Sequence, residues 1–411
     1  MKNPKHISKK ILSDPVNKWV FTVLKSDVFL VGGYVRDILR GVVSRDKDYA
    51  VKNAPEDIAE QAAKKFNGTC IPLKEESAYR VVLKNKKVLD FSLMQGSTIE
   101  EDLLRRDFTI NAIAWSPKTG ILDLFAGRSD MENKIVKAVR MNNFLADPLR
   151  VVRAYRIAAE LGFEIEENTR VNLKRFTKGL VTISPERITE ETFKILKNKN
   201  AAAYLNECFN DGVLEKIFRK KDGLEAGTQL ISNFDFFLKT LPKKISVSLG
   251  LEKEISQGLT RKGLIRLALL LIDKEGAALK KCRLRVSRNI HKAVENIHAG
   301  YSIAVSEKLF QEIPRERLFK IFTKVQDCVL EACIVLSVAL GLNAEELFKR
   351  AQEYLRVKNK ILLNGDDIQS LLNIPQGYRI GRILSALQEA QFKGYIKTKA
   401  EARKWVIKNF T

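Results

Sequence analysis

Two regimes of hydrophobic patterning divide the chain. In the first, apolar residues come in short runs. Residues 28–34 (VFLVGGY) are an apolar run broken by two glycines, and residues 35–40 (VRDILR) switch to helical spacing. Residues 46–51 (DKDYAV), 79–84 (YRVVLK) and 87–93 (KVLDFSL) are rich in Val, Tyr and Phe and predict strands. Residues 55–66 (PEDIAEQAAKKF) predict a helix opened by Pro and acids in its first turn. A helix at 99–105 and an apolar segment at 110–115 complete a small mixed α/β domain over about 20–140.

Beyond Asp147 the strand signal fades. Helical spacing fills 148–162, which stops at Gly162, and recurs at 185–198, 200–218, 225–240 and 262–273. It continues at 287–299, 306–326, 328–340, 344–358, 366–372, 379–393 and 399–409. The second half is expected to be all-α, with the Lys-rich stretch 242–263 connecting helical subdomains. The predicted fold class is α+β, a mixed N-terminal head followed by helices.

Composition narrows the function. The chain has 411 residues, 45% hydrophobic and 29% charged, which suits two to four globular domains. Lys plus Arg outnumber Asp plus Glu by 72 to 49, a net charge of +23. Such a surplus repels itself and favours a polyanionic partner, nucleic acid before any other. Five cysteines without a CxxC pair exclude a disulfide framework and a Cys-based zinc site, and three scattered histidines exclude a His-rich metal centre. The N-terminus is polar and unlike a secretory signal, and no run of about 18 apolar residues predicts a membrane span. A reducing, cytoplasmic location is expected.

Three constellations carry chemistry. In the first, Gly32 and Gly33 separate a strand from a helix, and Arg36 follows one turn into that helix. Exposed backbone N–H groups at such a turn suit a triphosphate. Asp46 and Asp48 then share one face of a strand. Adjacent carboxylates repel unless a hard cation lies between them, and Mg2+ bridged to substrate phosphates is the usual resolution. Asp90, on a neighbouring strand, could add a third carboxylate.

The second constellation runs from Glu100 to Ala112 (EEDLLRRDFTINA). Arg105 and Arg106 can clamp phosphate oxygens, and Asn111 could meet a sugar hydroxyl. The third is Asp147-Pro148-Leu149-Arg150-Val151-Val152-Arg153. Asp before Pro is a common helix start, with Asp147 as N-cap and Pro148 in the first position. Arg150 falls on the Asp147 face. Together they can read a base edge, Asp accepting from an exocyclic amine and Arg donating to the adjacent ring nitrogen. That pattern selects C and A and rejects U and G.

This ordered set resembles the class II tRNA nucleotidyltransferases, the CCA-adding enzymes and their bacterial poly(A) polymerase relatives, in the polymerase-beta-like superfamily. The resemblance rests on GGYVRD, Asp46-x-Asp48, RRDFTINA, DLFAG (123–127) and DPLRVVR. SPERI (184–188) and LNGDDI (363–368) with Pro375-x-Gly377 add to it. It implies a nucleotidyltransferase head at 20–140 and an all-α neck (141–200), body (201–300) and tail (301–411). It implies that Asp46 and Asp48 hold the metal, with Asp90 as a third catalytic acid. Gly32, Gly33, Arg36, Arg105, Arg106, Asp107, Asn111, Asp147, Arg150, Arg153 and Arg156 would bind nucleotide, with Asp147 and Arg150 acting as a protein template. The implied partners are tRNA and CTP, with ATP for a full CCA-adding member.

One departure bears on the product. CCA-adding members usually carry a flexible loop between the strand of Asp90 and the following helix. Here Asp90 passes almost directly into Ile99-Glu100-Glu101. In the family, loss of that loop goes with enzymes that add CC and leave the terminal A to a separate enzyme, so CC addition is expected. The alternatives are full CCA addition, a poly(A) polymerase and a non-catalytic RNA-binding protein. The clustered acids oppose the last, since a binder of phosphates gains nothing from them.

Overall fold

Short runs rich in branched and aromatic residues assemble into one seven-stranded mixed sheet. The strands are β1 (Val28–Val31), β2 (Lys47–Val51), β3 (Gly68–Lys74), β4 (Ala78–Leu83), β5 (Val88–Leu93), β6 (Ile113–Ser116) and β7 (Gly120–Asp123). They lie in the order β3-β4-β5-β2-β1-β6-β7. β2 and β5 pair in parallel, and the other neighbours are antiparallel. The computed structural model describes residues 4–24, 28–44, 46–74, 77–241, 249–272, 279, 282–310 and 313–411.

Alternation of side chains gives the sheet two different faces. On one, Leu30, Tyr49, Phe91 and Trp115 are fully buried under α1 (Pro4–Leu12), α2 (Pro15–Leu24), α3 (Gly33–Arg40) and α4 (Pro55–Phe66). Tyr49 and Phe91 stack with centroids 5.0 Å apart. On the other, Val31, Ala50 and Ala114 pack beneath Ile99 and Leu103 of α5 (Ile99–Leu104). Asp48 and Asp90 project from this second face. Lys47, between the two acids in sequence, turns the opposite way and is buried with its Nζ 3.2 Å from Asp14.

The strands, helices and apolar segment expected in the head all form. Several elements in this unit were not anticipated, among them two edge strands and two N-terminal helices. β3 is an edge strand, which tolerates its Gly68 and Pro72, and β7 is short. α1 is Lys-rich, and α2 follows it within three residues. The chain continues through α6 (Gly127–Glu132), α7 (Asn143–Ala146), α8 (Arg150–Leu161) and α9 (Glu167–Phe176). A further parallel pair links Ile135–Val136 to Glu164–Ile165. Met1–Ser184 with Asp211–Val213 form one compact unit, and Pro185–Asn210 with Leu214–Thr411 form another.

The second unit is helical almost throughout, but the expectation of an all-α chain beyond Asp147 needs two corrections: the strand Glu164–Ile165 falls within the stretch expected to be a helical neck, and a hairpin follows later. Glu254–Ser256 pairs antiparallel with Leu259–Thr260. The turn between them uses Gln257 and Gly258 at φ +51° and +74°, the positive-φ pair that a tight hairpin requires. This hairpin lies in the stretch expected to be a connection; residues 242–248 of that stretch, and position 273, fall outside the described residues. The helix predicted over 200–218 breaks at Asp211-Gly212, where Gly212 takes φ +75°. The helix predicted from 287 runs on to Ser306, and the next begins only at Arg315, after Pro314. Among the described residues no helix is long and apolar enough to cross a membrane.

Candidate active site

β1 ends at Val31, and the chain reverses at Gly32 before entering α3. Gly32 adopts φ +69° and ψ −139°, a conformation open to glycine and strained for other residues. A Cβ there would stand 3.2 Å from Asp48 Oδ2 and 3.3 Å from Arg106 Nη1. The backbone at Gly32 therefore runs directly against Asp48 and Arg106. Gly33 has no such constraint; a Cβ there would meet only Arg36, at 3.4 Å.

Register builds the acidic row. Val31 pairs with Asp48, Asp48 with Asp90, and Asp90 with Arg80. Asp46 is exposed at the mouth of β2, and Asp48 is half-buried behind it. Burial, then the charge of Asp90, pushes the Asp48 carboxyl up to about 6, against the opposing pull of Arg106. Asp90 stands where the sequence places it, but Arg80 holds it: Nε donates to Oδ1 and Nη2 to Oδ2, both at 2.8 Å. Among the described residues no group of three or more Asp, Glu, His or Cys stands together as a metal site. The expected third carboxylate is thus drawn onto a guanidinium, which leaves Asp46 and Asp48 as the carboxylates of this row without such a fork. Two crowded carboxylates, one strained toward its protonated form, suit a hard divalent cation completed by phosphate oxygens.

The arginines form a second layer. Arg106 donates through Nε and Nη2 to Asp102 Oδ2 (3.1 and 2.9 Å), and Asp102 Oδ1 accepts from the Gln95 N–H (3.1 Å). Asp107 is buried. It accepts from Arg153 Nε (3.0 Å) and Nη2 (2.5 Å), Asn111 Nδ2 (3.1 Å) and the Phe108 N–H (2.8 Å). Asn111 Oδ1 in turn accepts from Arg36 Nη1 (2.8 Å), and Arg36 Nε donates to Asp37 (3.0 Å). Arg36, Asn111, Asp107 and Arg153 are therefore one hydrogen-bonded chain. Asn111, expected at a sugar hydroxyl, spends its oxygen and one N–H inside it.

Asp147 does not take the expected N-cap position of α8: regular helix begins at Arg150 with Leu149 as its N-cap, and Asp147 closes α7 instead. Its Oδ1 accepts from the Leu149 N–H at 3.3 Å, and a tight turn from Asp147 to Arg150 precedes the regular helix. Arg150 Nη1 is buried without a hydrogen-bond partner, and burial pulls the Arg150 guanidinium below its ordinary pKa. Arg150, Arg105 and Arg106 line one wall of a cleft of about 570 Å3 whose other walls include Ser92, Met94 and Gln95. Arg156, farther along α8, pairs with Glu160 at 2.6 Å and does not line this cleft.

Comparison with known proteins fits this geometry. The model of the poly A polymerase head domain matches residues 28–97 and 83–137, and that of the probable RNA and SrmB-binding site of polymerase A matches 162–222. A CC-adding tRNA nucleotidyltransferase of Geobacter sulfurreducens is 32% identical over 396 residues, covering 92% of this chain and 91% of the relative. The chain belongs to the tRNA nucleotidyltransferase family. A CC-adding tRNA nucleotidyltransferase of Thermus thermophilus is 29% identical, with 93% of each chain covered. The solved structure of a Thermotoga maritima CCA-adding enzyme complexed with tRNA shares the fold, with a TM-score of 0.76 at 23% identity over 100% of this chain and 99% of that one. The protein is accordingly a nucleotidyltransferase, from a family that generally uses a divalent metal.

Within this nucleotidyltransferase several supporting residues were given no role by the motif reading, although Asp123 and Gly127 belong to the DLFAG segment it quoted. Asn143 Nδ2 donates to the carbonyls of Leu104 and Arg106 (3.0 and 2.8 Å), tying α7 to the arginine run. Asp123 accepts from the N–H groups of Gly127 and Arg128 (2.8 and 2.9 Å) and so caps α6. A Cβ on Gly127 would lie 2.2 Å from the Thr109 carbonyl, so the DLFAG segment braces the turn that carries Asn111. Arg80 left no local signal, because only strand register brings it to Asp90.

The Asp107–Arg153 pair gives a pH-dependent expectation. Burial opposes ionisation of Asp107, but the charge and hydrogen bonds of Arg153 outweigh it and hold the carboxyl well below the usual range. A depressed native pKa stabilises fully above the unfolded value, about 3.9, and loses that contribution as pH falls toward the native value. Asp107→Asn should cost about 2–3 kcal/mol at pH 7, less than a wholly buried pair would. The gap to wild type in urea unfolding should narrow below about pH 4. An equal gap at pH 3 and pH 7 would contradict the assignment.

Proposed function

We propose that this enzyme adds two cytidylates from CTP to the 3′ end of tRNA, without a nucleic-acid template and with release of pyrophosphate. The carrying observation is the link between β5 and α5. It spans only Met94–Thr98, and it is pinned at each step. The Met94 N–H donates to the Val51 carbonyl (2.8 Å), Gln95 to Asp102 (3.1 Å) and Ser97 to Glu101 (2.6 Å), and Thr98 caps α5. Gly96, at φ +115°, passes so close to Glu101 that a Cβ would clash with it. No length is left for a mobile lever. The CC-adding relatives, matched over nearly their whole length, support the same reading.

On this reading Asp46 and Asp48 hold Mg2+. When bound, the ion stabilises charge at the α-phosphoryl group and lowers the pKa of the attacking 3′-hydroxyl. Gly32 presents backbone to the phosphates, and Arg105 and Arg106 orient them. Asp147 and Arg150 read the base: the buried, unsatisfied Nη1 of Arg150 is a donor awaiting an acceptor such as a ring nitrogen. Asp107, Arg153, Asn111 and Arg36 fix the layer behind. The basic helices of the body and tail grip the tRNA arms through backbone charge and shape.

The test uses tRNA lacking its terminal CCA. CTP alone should extend it by two nucleotides, and ATP alone by none. Failure of CTP to extend it refutes the proposal. Asp147→Ala should weaken the preference for CTP over UTP by about tenfold to a hundredfold, since a bidentate base contact is worth about 1–3 kcal/mol. Unchanged discrimination with lowered stability would leave Asp147 as a helix cap only.

A further inference from the structure

The Arg80–Asp90 pair bridges β4 and β5 beside Asp48. Arg80 sits on the half-exposed face of β4, 41% exposed, and Asp90 is 23% exposed. The register puts Arg80, Asp90 and Asp48 side by side on three successive strands, all projecting from one face. Successive strands run about 4.8 Å apart, which brings the Asp90 carboxylate within reach of an ion held at Asp48. Yet both Asp90 oxygens are taken, one by Nε and the other by Nη2 of the same guanidinium. Such fork-to-fork pairing fixes the plane of a carboxylate as well as neutralising it.

We propose that Arg80 is a positioning residue that withholds Asp90 from the metal, so that the divalent cation binds only with the nucleotide whose phosphates complete its coordination. With two protein carboxylates the ion alone has a weak site; with three it would have a strong one that needs no nucleotide. Mg2+ is commonly held by one or two carboxylates plus substrate phosphates, and the Arg80 fork keeps the count at two. The inference rests on the reading of Asp46 and Asp48 as the cation-holding pair.

The experiment is a titration of the full chain with Mn2+ alone, followed by the paramagnetic resonance signal of free Mn2+. Arg80→Met should bind Mn2+ at least about tenfold more tightly than wild type, the order expected from one freed carboxylate near a cation. The double variant Arg80→Met with Asp90→Asn should lose the gain. Arg80→Lys keeps a cation on β4 but cannot span both oxygens; it should fall between wild type and Arg80→Met, and it carries the test if the Met variant does not fold. No tightening in Arg80→Met or Arg80→Lys overturns the proposal, as does a gain that survives Asp90→Asn. Asp48→Asn with Mn2+ and CTP, read against the same mixture without protein, tests the underlying reading separately: protein-dependent Mn2+ binding equal to wild type would refute the Asp46–Asp48 pair, whatever Arg80 does.

Discussion

Asp48→Asn is expected to lower nucleotide incorporation by at least about three orders of magnitude and, at neutral pH without metal, to make the protein melt higher than wild type. Both effects follow from one carboxylate. Burial first, then the charges of Asp90 and Asp46, lift its pKa to about 6. A carboxyl whose native pKa exceeds its unfolded value binds protons more tightly when folded. It therefore costs stability as pH rises through about 4 to 6, and the full penalty applies above that. Asparagine keeps the shape without the charge, so the penalty disappears along with the carboxylate proposed to hold the metal. Melting curves in chelator at pH 5 and pH 8 should show the gain growing with pH. Asp46→Asn provides the contrast. Asp46 is exposed, so its loss should match in activity and bring no stabilisation. A variant of Asp48 no more stable than wild type at pH 8 would show that the free site carries no strain.

The second large effect concerns the terminal A. On a tRNA ending in CC, with ATP in excess, extension should be at least about a hundredfold slower than addition of the second C; discrimination of that order is within reach of a site whose polar groups would be left unpaired. Accepting a larger base requires the pocket to reshape between additions, which needs an element able to move. Gln95 lines the cleft, and its N–H is fastened to Asp102, whose other oxygen fastens Arg106. One carboxylate thus couples the short link to Arg106 in the cleft wall, so that a shift of either breaks a hydrogen bond to Asp102. Lengthening the chain between Leu93 and Ile99 should raise A addition more than it changes C addition. Efficient A addition by the unaltered chain would refute this account and make the enzyme a full CCA-adding member that reshapes its pocket by other means.

Much of the site could be read from the sequence because its geometry is local. Asp46 and Asp48 share a face by strand alternation alone, and Asp147 reaches the Leu149 N–H within one turn. What could not be read is non-local. The Arg80 fork, the Asn111 bridge from Arg36 to Asp107, and the Asn143 tie to Leu104 and Arg106 depend on pairings between distant segments. The hairpin at 254–260 was hidden for another reason. A three-residue strand facing a two-residue one carries too few alternating positions to rise above its helical surroundings.

Lys47 makes the catalytic unit larger than its motifs. Its buried ammonium ends at Asp14, and Tyr49 on the same face donates to Asn17 Oδ1 (2.5 Å). Asn17 Nδ2 donates in turn to Tyr34 Oη and the Ile11 carbonyl, both 2.9 Å away. Alternate residues of the strand that presents the two acids are thus anchored in the first 17 residues, ahead of the point where the head-domain match begins at residue 28. A fragment trimmed to that match would keep Asp46, Asp48 and Asp90 but lose Asp14 and Asn17, and with α1 and α2 the cover of the apolar face on which Lys47 and Tyr49 are anchored. For dissection or recombination of these enzymes, the inheritable module starts with the N-terminal helices rather than with the glycine pair.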